Sequence, residues 1–592
     1  MRKTFYTAAG LWLLCTLLLI PAEGSGQTPF GPEYRDAGAC IVDHLEVCTD
    51  RTIYVAGEPV RFRADYFNEG LPGDLPWSSV VYVELIAPDG SPVVVSKWAM
   101  HDGFASGSLA IPGEVLTGHY LLRCYTRWMR NRGPGTYSHT PLTIINPFSR
   151  QVADTGGARG QGSDHLPEPV EEESPGTILC SAEKTEYLPG EWVRIALQAP
   201  DGSPPEGFGA SLTVAPEGSV EPLEDRILDG SLPAASDSFQ LQYLPDLGEA
   251  FTLSGMMVTG EGRPVADGAL SFSLLGPEPD LITANTGPQG RFAVQIPLRK
   301  SGQAFLVTPH PGEDDSLAVR IDQDMDGRRS PVMAGGFRMT AAEEAVATRL
   351  AVRWQIMESY REQDTSVAAK EVPLDRTLPF YGSDVERIEL KEYVNLPTLE
   401  EIFINLVHGV NVVRRRGRIS FSIEGDNSSL GFYRPLVLVD FVPVFDHTTL
   451  LAQDPREFER IEVIREVYVK GGMAFGGVIS LFTGNGDMAG LDLPEGSYFF
   501  DVTPLRDSEG GIVTGELSAP VSEDRVPDLR NTVMWEPDLQ FSPGSRKEMI
   551  IRAPDGPGAY VVRVRGALSP GKVLVGETRF EVRGSGPSSG MP

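Results

Sequence analysis

The sequence predicts a mostly β protein: a multidomain string of small β-sandwiches with one α+β domain in its second half. Three observations predict it. The 592 residues include 64 glycines and 48 prolines, which favour short strands joined by turns over long helices. With 41% hydrophobic residues the chain can fill several cores, and its length suggests three to six domains of roughly 100–200 residues. Runs such as Val80-Val81-Tyr82-Val83-Glu84-Leu85 are short, β-rich and followed by turn chemistry, here Ala87-Pro88-Asp89-Gly90.

The first 24 residues read as a secretory signal peptide. Arg2 and Lys3 give a basic start, an apolar stretch runs from Ala8 to Ile20, and Pro21 breaks it. Ala22-Glu23-Gly24 then places small residues at the cleavage-defining positions. The stretch is shorter than the roughly 20 apolar residues that a span needs. No later stretch is apolar enough, so the mature chain is expected to hold no membrane-spanning segment. Removing the signal takes two basic and one acidic residue from 51 and 81, leaving 49 against 80, a net −31. Such a surface repels nucleic acid, whose backbone is bound by clustered lysine and arginine. Four cysteines remain, Cys40, Cys48, Cys124 and Cys180, without a CxxC pair for zinc. Cys48 and Cys124 are the expected disulfide, at the first and last long strands of one sandwich; the alternative is that both are buried small apolar residues.

Residues 45–147 make the first predicted sandwich, with strands at Val60–Ala64, Val80–Leu85 and Gly118–Tyr125. A repeat marks a second one over 178–247. Tyr54-Val55-Ala56-Gly57-Glu58-Pro59-Val60-Arg61 recurs as Tyr187-Leu188-Pro189-Gly190-Glu191-Trp192-Val193-Arg194, and Ala87-Pro88-Asp89-Gly90 as Ala199-Pro200-Asp201-Gly202. The Gly- and Glu-rich stretch 150–177 between them cannot bury a core and is expected to be a flexible linker. Residues 250–310 read as strand, turn and strand, with a hairpin expected at Asn285–Phe292. A helix is predicted over 340–363. Thr340 and Glu343 form a capping box, and Ala342, Val346, Leu350, Trp354 and Met357 fall on one face. Residues 495–583 read as a further C-terminal β-sandwich, in which Gly558–Arg563 echoes Gly118–Arg123, and 584–592 as a disordered tail.

Thr49–Glu58 and Arg123–Met129 of the first sandwich carry a resemblance of this tandem to the Ig-like domains near the N-terminus of α-macroglobulins in bacterial envelope proteins. The thioester of that family is absent, because no cysteine here precedes a glycine. Residues 250–310 are similar to carboxypeptidase regulatory-like domains, which are transthyretin-like sandwiches. Residues 385–486 resemble the plug domain of TonB-dependent outer-membrane receptors. Leu396-Pro397-Thr398-Leu399-Glu400-Glu401-Ile402 starts a helix leading to His408–Val412. Arg434–Val444 matches the plug's central strand and turn, Asp454-Pro455 and Phe458–Val463 its next helix end and strand, and Tyr468 with Gly476–Thr483 closes the pattern. Only 106 residues follow Gly486. A 22-stranded receptor barrel, with roughly ten residues per strand, does not fit into them. The resemblance thus implies a string of Ig-like and transthyretin-like β-sandwiches with one α+β plug-like domain and no barrel of its own.

Chemical motifs are few. Asp322, Asp324, Asp326 and Gly327 open a calcium-loop pattern, but its closing position is Met333, which offers no carboxylate. Gly586-Pro587-Ser588-Ser589-Gly590 matches a nucleophile-elbow string without the strand and helix that a hydrolase needs around it. The eight histidines, His44, His101, His119, His139, His165, His310, His408 and His447, show no ligand spacing, and Asp446-His447 reads as structural. No catalytic, cofactor-binding or metal-ligating residue is assigned, and no cofactor. The expectation is a non-enzymatic, exported protein of the periplasm or outer-membrane surface. It would present its plug-like domain to an outer-membrane or periplasmic protein, linked to TonB-dependent transport or secretion. The alternatives are a glycan- or peptide-binding protein using Trp128, Trp192 or Trp535, and an envelope hydrolase.

Overall fold

The computed structural model describes residues 36, 38–71, 77–153, 177–221, 239–276, 278–298, 303–311, 316–328, 337–361, 379–382, 385–392, 396–415, 418–425, 428–510 and 527–584. The signal peptide, most of the expected linker and nearly all of the tail lie outside them. The chain divides into two units. One contains Phe251–Asp324 and Glu371–Pro504, and the other Cys40–Ala250, Met325–Lys370 and Leu505–Pro592. The expected mostly β fold is present, built of many small sheets.

The larger unit holds two sandwiches of one topology. In the first, the strands Val42–Thr49, Pro59–Glu69 and Phe104–Ala110 form one sheet in that order. The facing sheet runs Ile53–Val55, Ser138–Ile145, Gly118–Tyr125, Val80–Ile86, Pro92–Ala99, with Leu505–Arg506 added at the edge. Phe62 of the small sheet meets Trp98 of the large one edge-on, centroids 5.8 Å apart. Gly107 makes room for that indole, since a Cβ there would lie 2.7 Å from it.

The second sandwich repeats this plan strand for strand. Its small sheet is Leu179–Ala182, Trp192–Gln198, Arg546–Arg552, and its large sheet Glu186–Tyr187, Lys572–Val582, Gly558–Ser569, Phe208–Pro216, Met534–Phe541. In both copies the short second strand runs parallel to the last one. Val193, Ile195 and Leu197 share one core with Leu212, Val214, Val562, Val564 and Phe580. This corrects the division into a domain at 178–247 and a separate sandwich at 495–583. Strands lie in both segments, but neither closes this core alone, and pairing Phe208–Pro216 with Met534–Phe541 and Gly558–Ser569 completes it. The Ala-Pro-Asp-Gly recurrence is likewise turn chemistry rather than an equivalent position. Ala87–Gly90 links the fourth and fifth strands of the first copy, whereas Ala199–Gly202 links the third and fourth of the second.

The first sandwich also binds the chain where it leaves and rejoins this unit. Tyr82 donates to the Asp246 carboxylate at 3.0 Å, although 239–246 was assigned by sequence to the second domain. Arg123, paired with the buried Glu84, donates to the carbonyls of Asp326 and Arg328 at 3.0 and 2.8 Å. Ser106 donates to the Glu509 carbonyl at 2.6 Å. The helix Ala341–Arg361 starts with the expected reciprocal cap, Thr340 N–H to Glu343 at 2.7 Å and Glu343 N–H to Thr340 Oγ1 at 3.3 Å. Val346 and Leu350 are buried against Ile53 and Val55, and Trp354 packs beside them, while Ala342 is exposed.

The smaller unit pairs a sandwich with an α+β module. Arg291–Pro297, Ala250–Thr259 and Leu317–Ile321 face Asp280–Asn285, Ala269–Leu275, Ala304–Pro309 and Tyr498–Phe500. The expected hairpin at Asn285–Phe292 is instead a turn between the two sheets, closed by Gly290 N–H to the Gly287 carbonyl at 2.8 Å. The module has a mixed sheet in the order Glu386–Glu389, Phe458–Ile464, Val478–Thr483, Leu436–Val439, Val442–Pro443. The helix Leu399–Asn405 is capped by Thr398, which accepts from Glu401 N–H, and its Ile402 and Phe403 enter the module's core with Val439, Ile461 and Leu481.

The expected disulfide is not made, and all four of these cysteines are free. Along Val42–Thr49 the residues Asp43, Leu45 and Val47 turn inward, so Cys48 points out of its own sandwich. Its Sγ lies 3.1 Å from Ser211 Oγ of the second sandwich.

Candidate functional site

The carboxylates of the calcium-like loop each have a separate partner. Asp322 pairs with Arg291 at 2.7 Å, Asp324 accepts from Thr503 N–H at 2.8 Å, and Asp326 binds Arg328 and Tyr137. Among the described residues no group of three His, Cys, Asp or Glu could hold a metal ion. The nucleophile-elbow string lies outside the described residues.

Ser271 Oγ and His310 Nε2 are 2.6 Å apart, the spacing of a nucleophile and its base. Ser271 is fully buried within its strand, however, and burial pushes His310 down to about 4. The ring packs on Phe445 at 4.8 Å. The pair is a polar contact at the edge of the core. Asp446 serves as the N-cap of His447–Leu451, accepting from Thr448 and Thr449 N–H. A shallow cleft of about 280 Å³ beside Phe305, Phe499 and Phe500 carries one carboxylate, Asp501. Another, of about 160 Å³, sets Glu509 with Arg61 and Trp535. Neither brings a histidine to a carboxylate or two carboxylates together.

The tryptophans separate sharply. Trp128 and Trp535 are buried in strands or their turns, each 3% exposed, whereas Trp192 is 53% exposed. The Arg552 guanidinium lies over its ring at 4.8 Å, and Ile550 is exposed on the neighbouring strand.

In the α+β module a second apolar surface stands out. Phe432 is 82% exposed, and Tyr433 follows it at the end of the short helix Ser428–Phe432. At the other end of the strand Leu436–Val439 is a two-residue turn, Asp440-Phe441, leading to Val442–Pro443, with φ of 48° and 69°. Neither residue is glycine, so the turn is strained. Asp440 holds it by accepting from Thr483 N–H at 3.0 Å, Thr483 Oγ1 at 2.6 Å and Met488 N–H at 2.9 Å. Phe441 fills an aromatic cluster with Phe482 and Phe380. The fold thus anchors the far end of this strand and leaves Phe432 and Tyr433, before its start, exposed. Sequence reading passed over them; the available signal was an aromatic pair inside a Ser- and Gly-rich turn, where alternation offers no buried face.

No protein-family model and no curated protein matches this chain. Among solved structures it is similar to alpha-2-macroglobulin of Escherichia coli activated by porcine elastase, at 10% identity and a TM-score of 0.22, covering 92% of this chain and 44% of that one. Salmonella alpha-2-macroglobulin reacted with methylamine gives 10% identity and 0.23, covering 92% and 39%. The D0-D1 domain of Intimin gives 11% identity and 0.13, covering 50% and 97%. The chain spans less than half the length of those macroglobulin chains. The fold rests on its own sheets and cores, not on these likenesses. No helix among the described residues is long and apolar enough to cross a membrane.

Proposed function

We propose that this protein is a non-enzymatic, exported binding protein of a Gram-negative envelope. Its sandwiches are of the macroglobulin Ig-like type, and its plug-like module is presented to an outer-membrane partner, linked to a TonB-dependent system. The observation that carries this reading is the placing of the module. It belongs to a unit with its own core, whose segments Phe251–Asp324 and Glu371–Pro504 fall within the insertion between the fourth and fifth strands of the second sandwich. Supporting it, Phe432 and Tyr433 give that module an exposed aromatic pair, of the kind that anchors protein interfaces. The test is affinity purification of the full chain from detergent-solubilised envelopes, with bound proteins identified and the capture repeated from the partner's side. An outer-membrane protein captured by the parent and lost with F432A/Y433A is the expected result. Failure to recover any outer-membrane protein reproducibly would sink the partner idea.

A second reading, glycan or peptide binding, is favoured by the exposed Trp192 with Arg552 over its ring. Carbohydrate or peptide arrays probed with the parent and W192A decide it, since identical array profiles would remove the reading.

A further inference from the structure

The strands Val410–Arg415 and Arg418–Ile423 form a two-stranded sheet of their own in the α+β module. Across their turn the sequence reads Arg414-Arg415-Arg416-Gly417-Arg418, four arginines in five positions of a chain whose net charge is −30. Arg416 and Gly417 lie outside the described residues.

The register sorts the remaining side chains. Val410 is opposite Ile423, Val412 opposite Phe421, and Arg414 opposite Ile419. This face turns to the module's core, where Phe421 meets Phe403 at 4.8 Å. Arg414 closes on the Glu400 carboxylate with two bonds, 2.5 and 2.6 Å. On the other face Asn411 is opposite Ser422, Val413 opposite Ser420, and Arg415 opposite Arg418. At the closing pair of the hairpin two exposed guanidiniums therefore stand directly across from each other.

Like charges directly opposite on neighbouring strands repel and destabilise the pair. The rest of the module treats arginine differently. Arg387 and Arg460 pair with Glu462, Arg456 with Asp454, and Arg465 with Glu386. The Arg415 and Arg418 side chains make no ion pair or hydrogen bond among the described residues. An anion between them would convert the repulsion into two charge-assisted contacts. Two positive forks call for two negative charges. A dianionic phosphate ester, with three acceptor oxygens, can serve both, whereas one carboxylate neutralises a single fork. Ser420 and Ser422 keep the adjoining face low and add hydroxyl donors.

We propose that Arg415 and Arg418 form a phosphate-recognition site on the outer face of this hairpin. It takes a dianionic phosphate ester borne by a lipid headgroup or by a free phosphorylated compound. The site does not depend on the Phe432–Tyr433 surface or on any protein partner.

The test uses the full chain with two probes, pyrophosphate followed by titration calorimetry and vesicles of phosphatidylcholine containing phosphatidic acid followed by co-sedimentation. Saturable pyrophosphate binding is expected, weakening as salt rises. R415Q/R418Q should weaken it at least about tenfold, R415K/R418K should fall between, and R263Q, an exposed arginine elsewhere, should match the parent. Thermal unfolding of R415Q/R418Q at or slightly above the parent's midpoint shows that the fold is kept. Binding to both probes assigns the headgroup source, and binding to pyrophosphate alone the soluble one. The proposal is overturned if neither probe binds, if R415Q/R418Q binds as the parent does, or if a glutamate-rich peptide of equal charge binds as tightly as the phosphate probes.

Discussion

The turns at Tyr54–Glu58 and Tyr187–Glu191 are built from the same bonds. In each, the tyrosine hydroxyl accepts from the backbone N–H three residues earlier, at 3.1 Å from Arg51 and 2.8 Å from Lys184. In each, the glutamate accepts from the N–H three residues back, at 2.7 Å from Val55 and 2.9 Å from Leu188. Gly57 and Gly190 adopt φ of 96° and 77°, which lets the chain turn without a Cβ clash. Each glutamate also pairs with a cation, Glu58 with Arg51 and Glu191 with Lys184. What differs is water. The Arg51–Glu58 side chains are 1% and 3% exposed, and the Lys184–Glu191 side chains 53% and 32%.

The first turn is covered from two sides. Trp354 of the helix lies over Gly57, and Asn531 donates to Glu58 at 2.9 Å and to the Leu350 carbonyl at 3.0 Å. Thr532 accepts from Arg51 at 2.9 Å and donates to Asp50. Burial works against the Arg51 charge, but Glu58 and Asp50 more than offset it and hold the guanidinium above its ordinary value. One motif therefore serves as a surface turn in one copy and as the buried junction of the unit in the other. The residues that convert it come from positions far along the chain.

The largest expected effect breaks that junction. Glu58→Gln removes the nearer of the two counter-charges of buried Arg51, leaving only Asp50 at 3.7 Å, and should destabilise this unit by up to about 3–5 kcal/mol, read from urea unfolding. Glu191→Gln, at the solvated copy, should leave the midpoint unchanged. Similar losses in the two variants would show that burial does not separate the turns.

Leu350→Ala removes the helix's fully buried contact with Ile53 and Val55 and should cost about 2–5 kcal/mol. Hydrogen exchange sharpens the comparison. Amides at Ile53–Val55 should lose protection, and those at Glu186–Tyr187 should not.

The two sandwiches should also differ in pH response. Burial, reinforced by the positive charge of Arg123, pushes His139 of the first sandwich down to about 4. An unfolded histidine titrates near about 6.5, so between these values the unfolded state binds more protons. Stability from this group is complete above about pH 6.5 and is lost as pH falls toward 4, on the order of 2 kcal/mol after discounting the ring's partial exposure. The second sandwich contains no histidine. His139→Gln should flatten the slope between pH 6.5 and 4 in a series of melts, and an unchanged slope would refute the assignment.

The smallest effect concerns a bond the copies share equally. Tyr120 donates to the Leu116 carbonyl and Tyr560 to the Gly556 carbonyl, both at 2.7 Å, at equivalent ends of the seventh strand. Tyr120→Phe and Tyr560→Phe should each cost about 1 kcal/mol. A marked difference between them in chemical denaturation would mean that the corner, too, has diverged.

Much of this was legible in sequence where the information is local. The Thr340–Glu343 cap, the helix start at Leu396–Ile402, the helical stripe at Val346, Leu350 and Trp354 and the repeated glycine turn all depend on residues within a few positions of one another. Arg415 and Arg418 were missed because four close arginines do not say which of them pair across a hairpin. Only pairing across the hairpin shows that two of them face each other.

The sequence by itself determined that this is a mostly β chain of repeated sandwiches with an α+β module, and where its turns and helices begin. Only the tertiary structure decided that 178–216 and 531–583 are one sandwich, that Cys48 turns toward Ser211 and away from its own core, and that Glu58 is buried while Glu191 is wet. Strand alternation specifies which face of a strand is apolar but not which strand covers it. Here the covering strand lies hundreds of residues away, as in the Arg194–Glu548 contact at a separation of 354 positions.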